Sequence, residues 1–245
     1  IQGEEQGMGK RILITNDDGI DSEGIKRLAE TARNFGEVWV VAPDSQCSAV
    51  SHCITLSHSI EIHPYDFPLP EIRAYSCSGT PGDCVRVGSL NVMPERPDVV
   101  FSGINYGYNV ATDIQYSATA GAAFEAEFQG YLAVAFSEEA STLHEVTDRY
   151  LREIMAELIE EEYVPGQIIN VNFPGCALNE CKGILRDRRV SRAAYFTDHY
   201  NQVKKLSDGG VELMIEGVHI PISDDGTDYG AVLDKYVSVG RVSNI

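Results

Sequence analysis

The stretch Arg11-Ile12-Leu13-Ile14-Thr15-Asn16-Asp17-Asp18-Gly19 decides the fold. An apolar run with the look of a buried strand ends in two adjacent carboxylates, and a glycine follows to turn the chain. Paired acids are thereby placed at the carboxyl end of a strand, the edge at which open α/β sheets bind ligands. Two acids there repel each other and lose solvent, and a divalent cation removes both penalties. Asp17 and Asp18 are therefore candidate ligands of a hard metal ion. The same Asn-Asp-Asp-Gly also suits a plain strand-ending turn, because all three residue types favour turns. The stretch alone leaves both readings open.

Outward from it, Ser22 is a plausible N-cap for a helix over 23–34. Ile25, Leu28, Ala29, Ala32 and Phe35 follow helical spacing, and Gly36 is a natural stop. Glu37-Val38-Trp39-Val40-Val41-Ala42 reads as a second buried strand, ended by Pro43. Strand, helix and strand in so short a span favour a right-handed parallel unit. Residues 56–78 alternate weakly and read as irregular strands; Gly79-Thr80-Pro81 opens a short helix. Further strands follow at Asp98–Phe101, Leu132–Phe136 and Gln167–Phe173, with a helix led in by Ser117 and Thr119 and an acidic amphipathic one over 144–162. The fold class is α/β with a mostly parallel sheet.

Residues 1–7 are mostly polar and read as a leader or an expression remnant, and residues 8–179 as the core. Residues 180–245 read as a β-hairpin arm and C-terminal segment. That stretch holds the one strongly basic run, 183–192, and the hairpin signal Asp208-Gly209-Gly210. A short hairpin is marginal alone, so such an arm suggests packing on a partner chain.

The chain has 245 residues, enough to bury a core without staples, and a formal net charge of -18. That field repels long nucleic acid, so a DNA- or RNA-coating role is excluded, whereas a small phosphate ester is not, because a bound metal inverts the local sign. No apolar run approaches the roughly 20 residues of a membrane helix. The six cysteines form no C-x-x-C pair and read as reduced thiols of a cytoplasmic protein.

Three strand ends deliver polar side chains to one edge: Asp17 and Asp18, then Ser48 in the loop after the second strand, then Asn105 after the third. Two carboxylates, a hydroxyl and an amide carbonyl are all oxygen donors, which suit Mg²⁺, Mn²⁺ or Ca²⁺ and not a structural zinc. Ser117 and Thr119 put hydroxyls at a helix N-terminus, where they serve either as simple caps or as phosphate contacts. His52 lies in the Ser48 loop and stays outside the catalytic set.

These residues resemble the SurE (stationary-phase survival protein) family of metal-dependent nucleotide phosphatases. The matching pieces are Ile14-Thr15-Asn16-Asp17-Asp18-Gly19, Val41-Ala42-Pro43-Asp44 with Ser48 and Ile54-Thr55, Gly79-Thr80-Pro81 with Asp83-Cys84-Val85, and Ser102-Gly103-Ile104-Asn105 with Gly107, Asn109, Asp113, Ser117 and Thr119. They run in the family's order over residues 11–136. The resemblance implies a Rossmann-like, three-layer α/β/α core and one divalent metal per subunit held by Asp17, Asp18, Ser48 and Asn105. It implies hydrolysis of nucleoside 5′- and 3′-monophosphates, and in some members short polyphosphate. Asp17 or Asp18 would orient or deprotonate the attacking water, and Asn16, Gly103, Asn109, Ser117 and Thr119 would hold the phosphate. It further implies a homodimer with exchanged C-terminal segments, in some members paired into a tetramer.

Against the usual family pattern, Ala111 and Ala118 stand where glycine is usual, Gly82 where alanine is usual, and Tyr106 where many members carry arginine. A left-handed backbone at Ala118 would strain alanine by about 1 kcal/mol. Two rival readings remain: an aspartyl-phosphate phosphatase, which needs Asp-x-Asp where Asn16-Asp17-Asp18 stands, and a non-catalytic nucleotide-binding protein using the same crevice.

Overall fold

Ile12, Leu13 and Ile14 are fully buried, so β1 (Lys10–Thr15) is covered on both faces. A strand buried on both faces belongs inside a sheet with helices on either side. The computed structural model describes residues 9–244 and has this arrangement; the stretch 1–7 read as a leader lies outside the described residues.

The other strands are β2 (Gly36–Pro43), β3 (Ile62–Tyr65), β4 (Arg73–Cys77), β5 (Val99–Tyr106), β6 (Leu132–Glu138), β7 (Gln167–Phe173), β8 (Ile184–Leu185), β9 (Phe196–Lys205), β10 (Val211–His219) and β11 (Val237–Ser243). The main sheet runs in the order β3-β4-β2-β1-β5-β6-β7-β11-β8. The six strands from β4 to β7 in that order are mutually parallel, while β3 and β11 pair antiparallel to β4 and β7. The helices are α1 (Glu23–Ala32), α2 (Pro81–Val87), α3 (Ala118–Phe128), α4 (Glu145–Leu158) and α5 (Asp228–Leu233).

Alternation along β1 sorts the two covering layers. Ile12 and Ile14 join a core with Ile25 and Leu28 of α1 and Ile154 and Met155 of α4. Leu13 faces the other way, into a core with Cys84 and Val85 of α2 and Ala122 and Ala123 of α3. The result is the expected α/β/α sandwich. From β1 the chain first builds outward through β2, then returns to place β5 on the opposite side of β1. The carboxyl ends of β1 and β5 therefore flank a topological switch point, where a crevice opens in sheets of this class.

The stretch read as an arm divides in two. β8 and β11 join the main sheet, whereas β9 and β10 form a separate antiparallel hairpin. Every residue of both hairpin strands is exposed, including Tyr200, Leu213, Met214, Ile215 and Val218. Its base is pinned where the Tyr229 hydroxyl meets His219 Nε2 at 2.6 Å and the Ile220 carbonyl at 2.5 Å. No helix among the described residues is long and apolar enough to cross a membrane.

Candidate active site

β1 ends at Thr15, and the next three residues turn in the switch-point crevice. Asn16 shapes the turn: its side-chain nitrogen donates to the Gly19 carbonyl at 2.9 Å and to Ser22 Oγ at 2.8 Å. Both bonds use the amide nitrogen, which leaves Asn16 Oδ1 buried without a partner. Asp17 is 4% exposed. Its Oδ1 accepts the Thr119 hydroxyl at 2.5 Å, and its carbonyl accepts the Cys47 N–H at 2.8 Å. Burial pushes the Asp17 carboxyl up from 3.8 to about 6; the Thr119 bond opposes the rise and the charge of Asp18 adds to it. Asp18 is half-buried and accepts the Tyr106 N–H at 3.0 Å. Burial pushes Asp18 up as well, against that N–H and the Gln46 side chain, which hold it down.

Gln46 also donates to Ser48 Oγ at 3.0 Å. It thus ties the exposed Ser48 to Asp18, and sequence reading left it outside the candidate set. From β5, the Asn105 side-chain nitrogen donates to the Gly107 carbonyl at 2.8 Å, a bond that leaves the amide oxygen unspent. The chain's own bonds therefore link Asp18 to Ser48 through Gln46 and to the Asn105 strand end through Tyr106.

The residues expected on the phosphate side are placed differently from one another. Thr119 spends its hydroxyl hydrogen on Asp17 and Asn16 spends both amide hydrogens on the turn. Asn109 is buried, and its side-chain nitrogen donates to Ser137 Oγ at 2.8 Å. Gly103 lies within β5, where a Cβ would come 2.3 Å from the Phe136 carbonyl, so the position demands glycine for close packing. Ser117 is the N-cap of α3, with Oγ accepting the Ala120 N–H at 3.0 Å. A hydroxyl used as an acceptor still has its hydrogen to donate, and helix geometry leaves the N–H groups of Ala118 and Thr119 without intrahelical acceptors. Ser117 and the α3 amino end are thus the available anion donors.

The alanine strain expected at Ala118 falls elsewhere. Ala118 is the first residue of α3 and right-handed, as alanine prefers. Of the two alanines, Ala111 and Ala118, it is Ala111 that sits in the left-handed region, at φ 54. Its N–H donates at 3.2 Å to the buried carboxylate of Asp228, which also accepts the Ser191 N–H at 2.8 Å. Asp228 had no motif context beyond an acidic loop in the sequence. Asp83 likewise proves to be a cap: it closes a capping box with Thr80 and accepts the Thr55 N–H at 3.0 Å.

The atoms suit a hard cation. Among the described residues there is no cluster of three or more His, Cys, Asp or Glu side chains, and the set around Asp17 needs none, since two carboxylates, a hydroxyl and an amide oxygen satisfy an oxygen-seeking ion. Two acids lifted by burial and an orphaned buried acceptor at Asn16 make a site short of positive charge.

Sequence comparison points the same way as this geometry. The family described as Survival protein SurE matches residues 12–195, a span holding all nine candidate residues. The 5'-nucleotidase SurE of Thermosipho melanesiensis is 36% identical over 95% of this chain and 91% of its own length. That of Brucella canis is 34% identical over 94% and 90%. A crystal structure of the SurE protein from Aquifex aeolicus superposes with a TM-score of 0.80 at 32% identity, over 95% of this chain and 93% of that one. With the acid pair at the switch point, the glycine-dependent end of β5 and near full-length similarity in sequence and fold, the chain belongs to the SurE family.

Proposed function

We propose that this chain is a metal-dependent phosphohydrolase that releases phosphate from nucleoside 5′-monophosphates, with 3′-monophosphates and short polyphosphate as further substrates. The observation that carries the reading is the pair of pKa-raised carboxylates, Asp17 buried and Asp18 half-buried, set beside the amino end of α3 through the Thr119–Asp17 bond. Names of relatives such as the Thermosipho enzyme support the 5′-nucleotide as substrate. Asp17, Asp18, Ser48 and Asn105 hold one Mg²⁺, Mn²⁺ or Ca²⁺. When bound, that ion supplies positive charge to the phosphate oxygens and lowers the pKa of water.

The chain's own residues do the rest. Ser117 Oγ–H and the N–H groups of Ala118 and Thr119 bind phosphate oxygens and fix the phosphorus for in-line attack. Asp18, the less buried acid, orients the attacking water and takes its proton, while Asp17 is held by Thr119 as the fixed acid of the pair. The P–O bond to the nucleoside breaks on the opposite side, and the departing alkoxide is protonated by solvent. The exposed hairpin supports a homodimer in which β9 and β10 exchange onto the partner, with tetramers built from such pairs. Unpaired cysteines among the described residues support a reducing, cytoplasmic setting. Replacing Asp17 by Asn should abolish metal-stimulated phosphate release with the far-UV CD spectrum unchanged; near-normal turnover would remove Asp17 from the site.

A further inference from the structure

Glu125 is a buried acid in the middle of an alanine-rich helix, 3% exposed. A carboxylate so placed must be paired or pay heavily for lost solvent. Three donors from three elements meet it. His52 Nε2 lies 2.8 Å from Oε2, Arg86 of α2 donates to Oε1 at 3.0 Å, and Gln129, the C-cap of α3, donates to Oε1 at 2.9 Å. Against burial, these partners hold the carboxyl below its ordinary range. Two of the partners belong to the helical layer itself. His52 belongs to the loop that carries Ser48.

That loop needs holding. Ala49 and Ser51 both sit in the left-handed region, at φ 58 and 55, without being glycine. Such residues persist only when their surroundings fix them. Cys47 is held by the Asp17 carbonyl, and the contacts that fix Ser51 and His52 lie on α3 or its lead-in. Ser51 N–H donates to the Tyr116 carbonyl at 3.0 Å, Ser51 Oγ donates to the Gln115 carbonyl at 2.8 Å, and His52 meets Glu125. Gly121, one turn before Glu125, lets the loop close in: a Cβ there would lie 2.5 Å from the Ser51 carbonyl. The first turn of the same helix holds Asp17 through Thr119. One rigid helix thus sets both Asp17 and the Ser48 loop.

We propose that Glu125 is a positioning residue for the metal site, acting through His52 to fix Ser48 relative to Asp17. This rests on the metal-dependent reading of the site for its functional consequence, though not for its structural one. Glu125 touches neither substrate nor metal. Its role is to hold a ligand-bearing loop, and partners of ligands change metal affinity by about 10–100-fold when lost.

His52→Ala tests the proposal and leaves Glu125 paired with Arg86 and Gln129. In the protein stripped of metal, amide hydrogen exchange at Cys47 and Ser51 should quicken at least about tenfold, while α3 amides keep their protection. Titrated with Mn²⁺, the variant should bind about tenfold more weakly, with kcat at saturating Mn²⁺ within about twofold of the parent. His52→Gln, whose side-chain amide can replace Nε2–H, should restore both. The double variant His52→Ala/Ser48→Ala should bind Mn²⁺ no more weakly than Ser48→Ala alone, as expected when one residue acts through the other. Unchanged exchange at Cys47 and Ser51 overturns the proposal whatever the protein does with phosphate esters. Quickened exchange with unaltered Mn²⁺ affinity, or additive losses in the double variant, overturns the link to Ser48. A parent protein that binds no Mn²⁺ while His52→Ala still loosens the loop defeats the metal reading and the positioning role together, leaving His52 a loop anchor only.

Discussion

Thr119 Oγ1, in the first turn of α3, donates to Asp17 Oδ1 at 2.5 Å, joining residues 102 apart in sequence. A hydroxyl bonded to a buried carboxylate contributes about 1.5–3 kcal/mol. Thr119→Val keeps the shape and removes the donor. Without it the Asp17 carboxyl of the metal-free protein rises further, so a proton competes with the cation up to higher pH. Mn²⁺ affinity at neutral pH should fall about 10–100-fold, and the pH at which binding is half lost should move upward. A binding profile that keeps its pH position would show that Thr119 fills space and does not tune Asp17.

The same carboxyl makes the metal-stripped protein pH-sensitive. Asp17 is raised from 3.8 to about 6 by burial. A raised acid binds its proton more tightly in the folded state, so its ionisation opposes folding. The cost is absent below about pH 4, grows as pH rises and is complete above about pH 6. A shift of this size corresponds to at most about 3 kcal/mol. In chelator, urea unfolding should show the parent losing stability relative to Asp17→Asn across that window. A difference between the two that stays flat with pH would contradict a buried, proton-holding Asp17.

Tyr106 uses its backbone, not its ring, on the site: its N–H holds Asp18 and its side chain is 56% exposed. Tyr106→Arg should therefore leave the carboxylate pair in place and add a cation at the rim. A charge-assisted contact to phosphate is stronger than a neutral one, so KM for nucleoside monophosphates should fall about threefold to tenfold with kcat little changed. A raised KM would mean that the tyrosine ring itself contributes to substrate binding.

The hairpin offers a direct test of assembly. Leu213 and Ile215 are both about half exposed, at 51% and 53%, and alternate onto one face of β10. A two-stranded ribbon with so much apolar surface in water is marginal alone. Leu213→Asp/Ile215→Asp should sediment as a monomer where the parent sediments as a dimer. A parent that is already monomeric at micromolar concentration would remove the exchanged-arm reading.

The parts of the fold written in short-range pattern were legible. Ser22 caps α1 as its position suggests, Pro81 opens α2, and the Asp208-Gly209-Gly210 signal lies in the turn between β9 and β10. The weakly alternating 56–78 stretch resolves into β3 and β4, an edge pair with little buried surface to sharpen its pattern. What stayed hidden depends on partners distant in sequence. Thr119 reads first as a simple cap, with a phosphate contact as the alternative, until Asp17 is seen beside it. Glu125 carried a signal that went unused: an acid amid Ala122, Ala123, Phe124 and Ala126 is out of place unless something pairs it. The left-handed backbone at Ala111 is likewise set by Asp228, from the far end of the chain.

The most direct test of metal-dependent nucleotide hydrolysis is phosphate release from a panel of nucleoside monophosphates after chelation, with Mg²⁺, Mn²⁺ or Ca²⁺ added back singly. Hydrolysis at the Asp17–Asp18 site predicts no release in chelator, restored release from 5′-monophosphates with at least one of these ions, and no restoration in Asp17→Asn. Release undiminished by chelation would contradict it, as would silence with every ion from folded protein that still binds nucleotide.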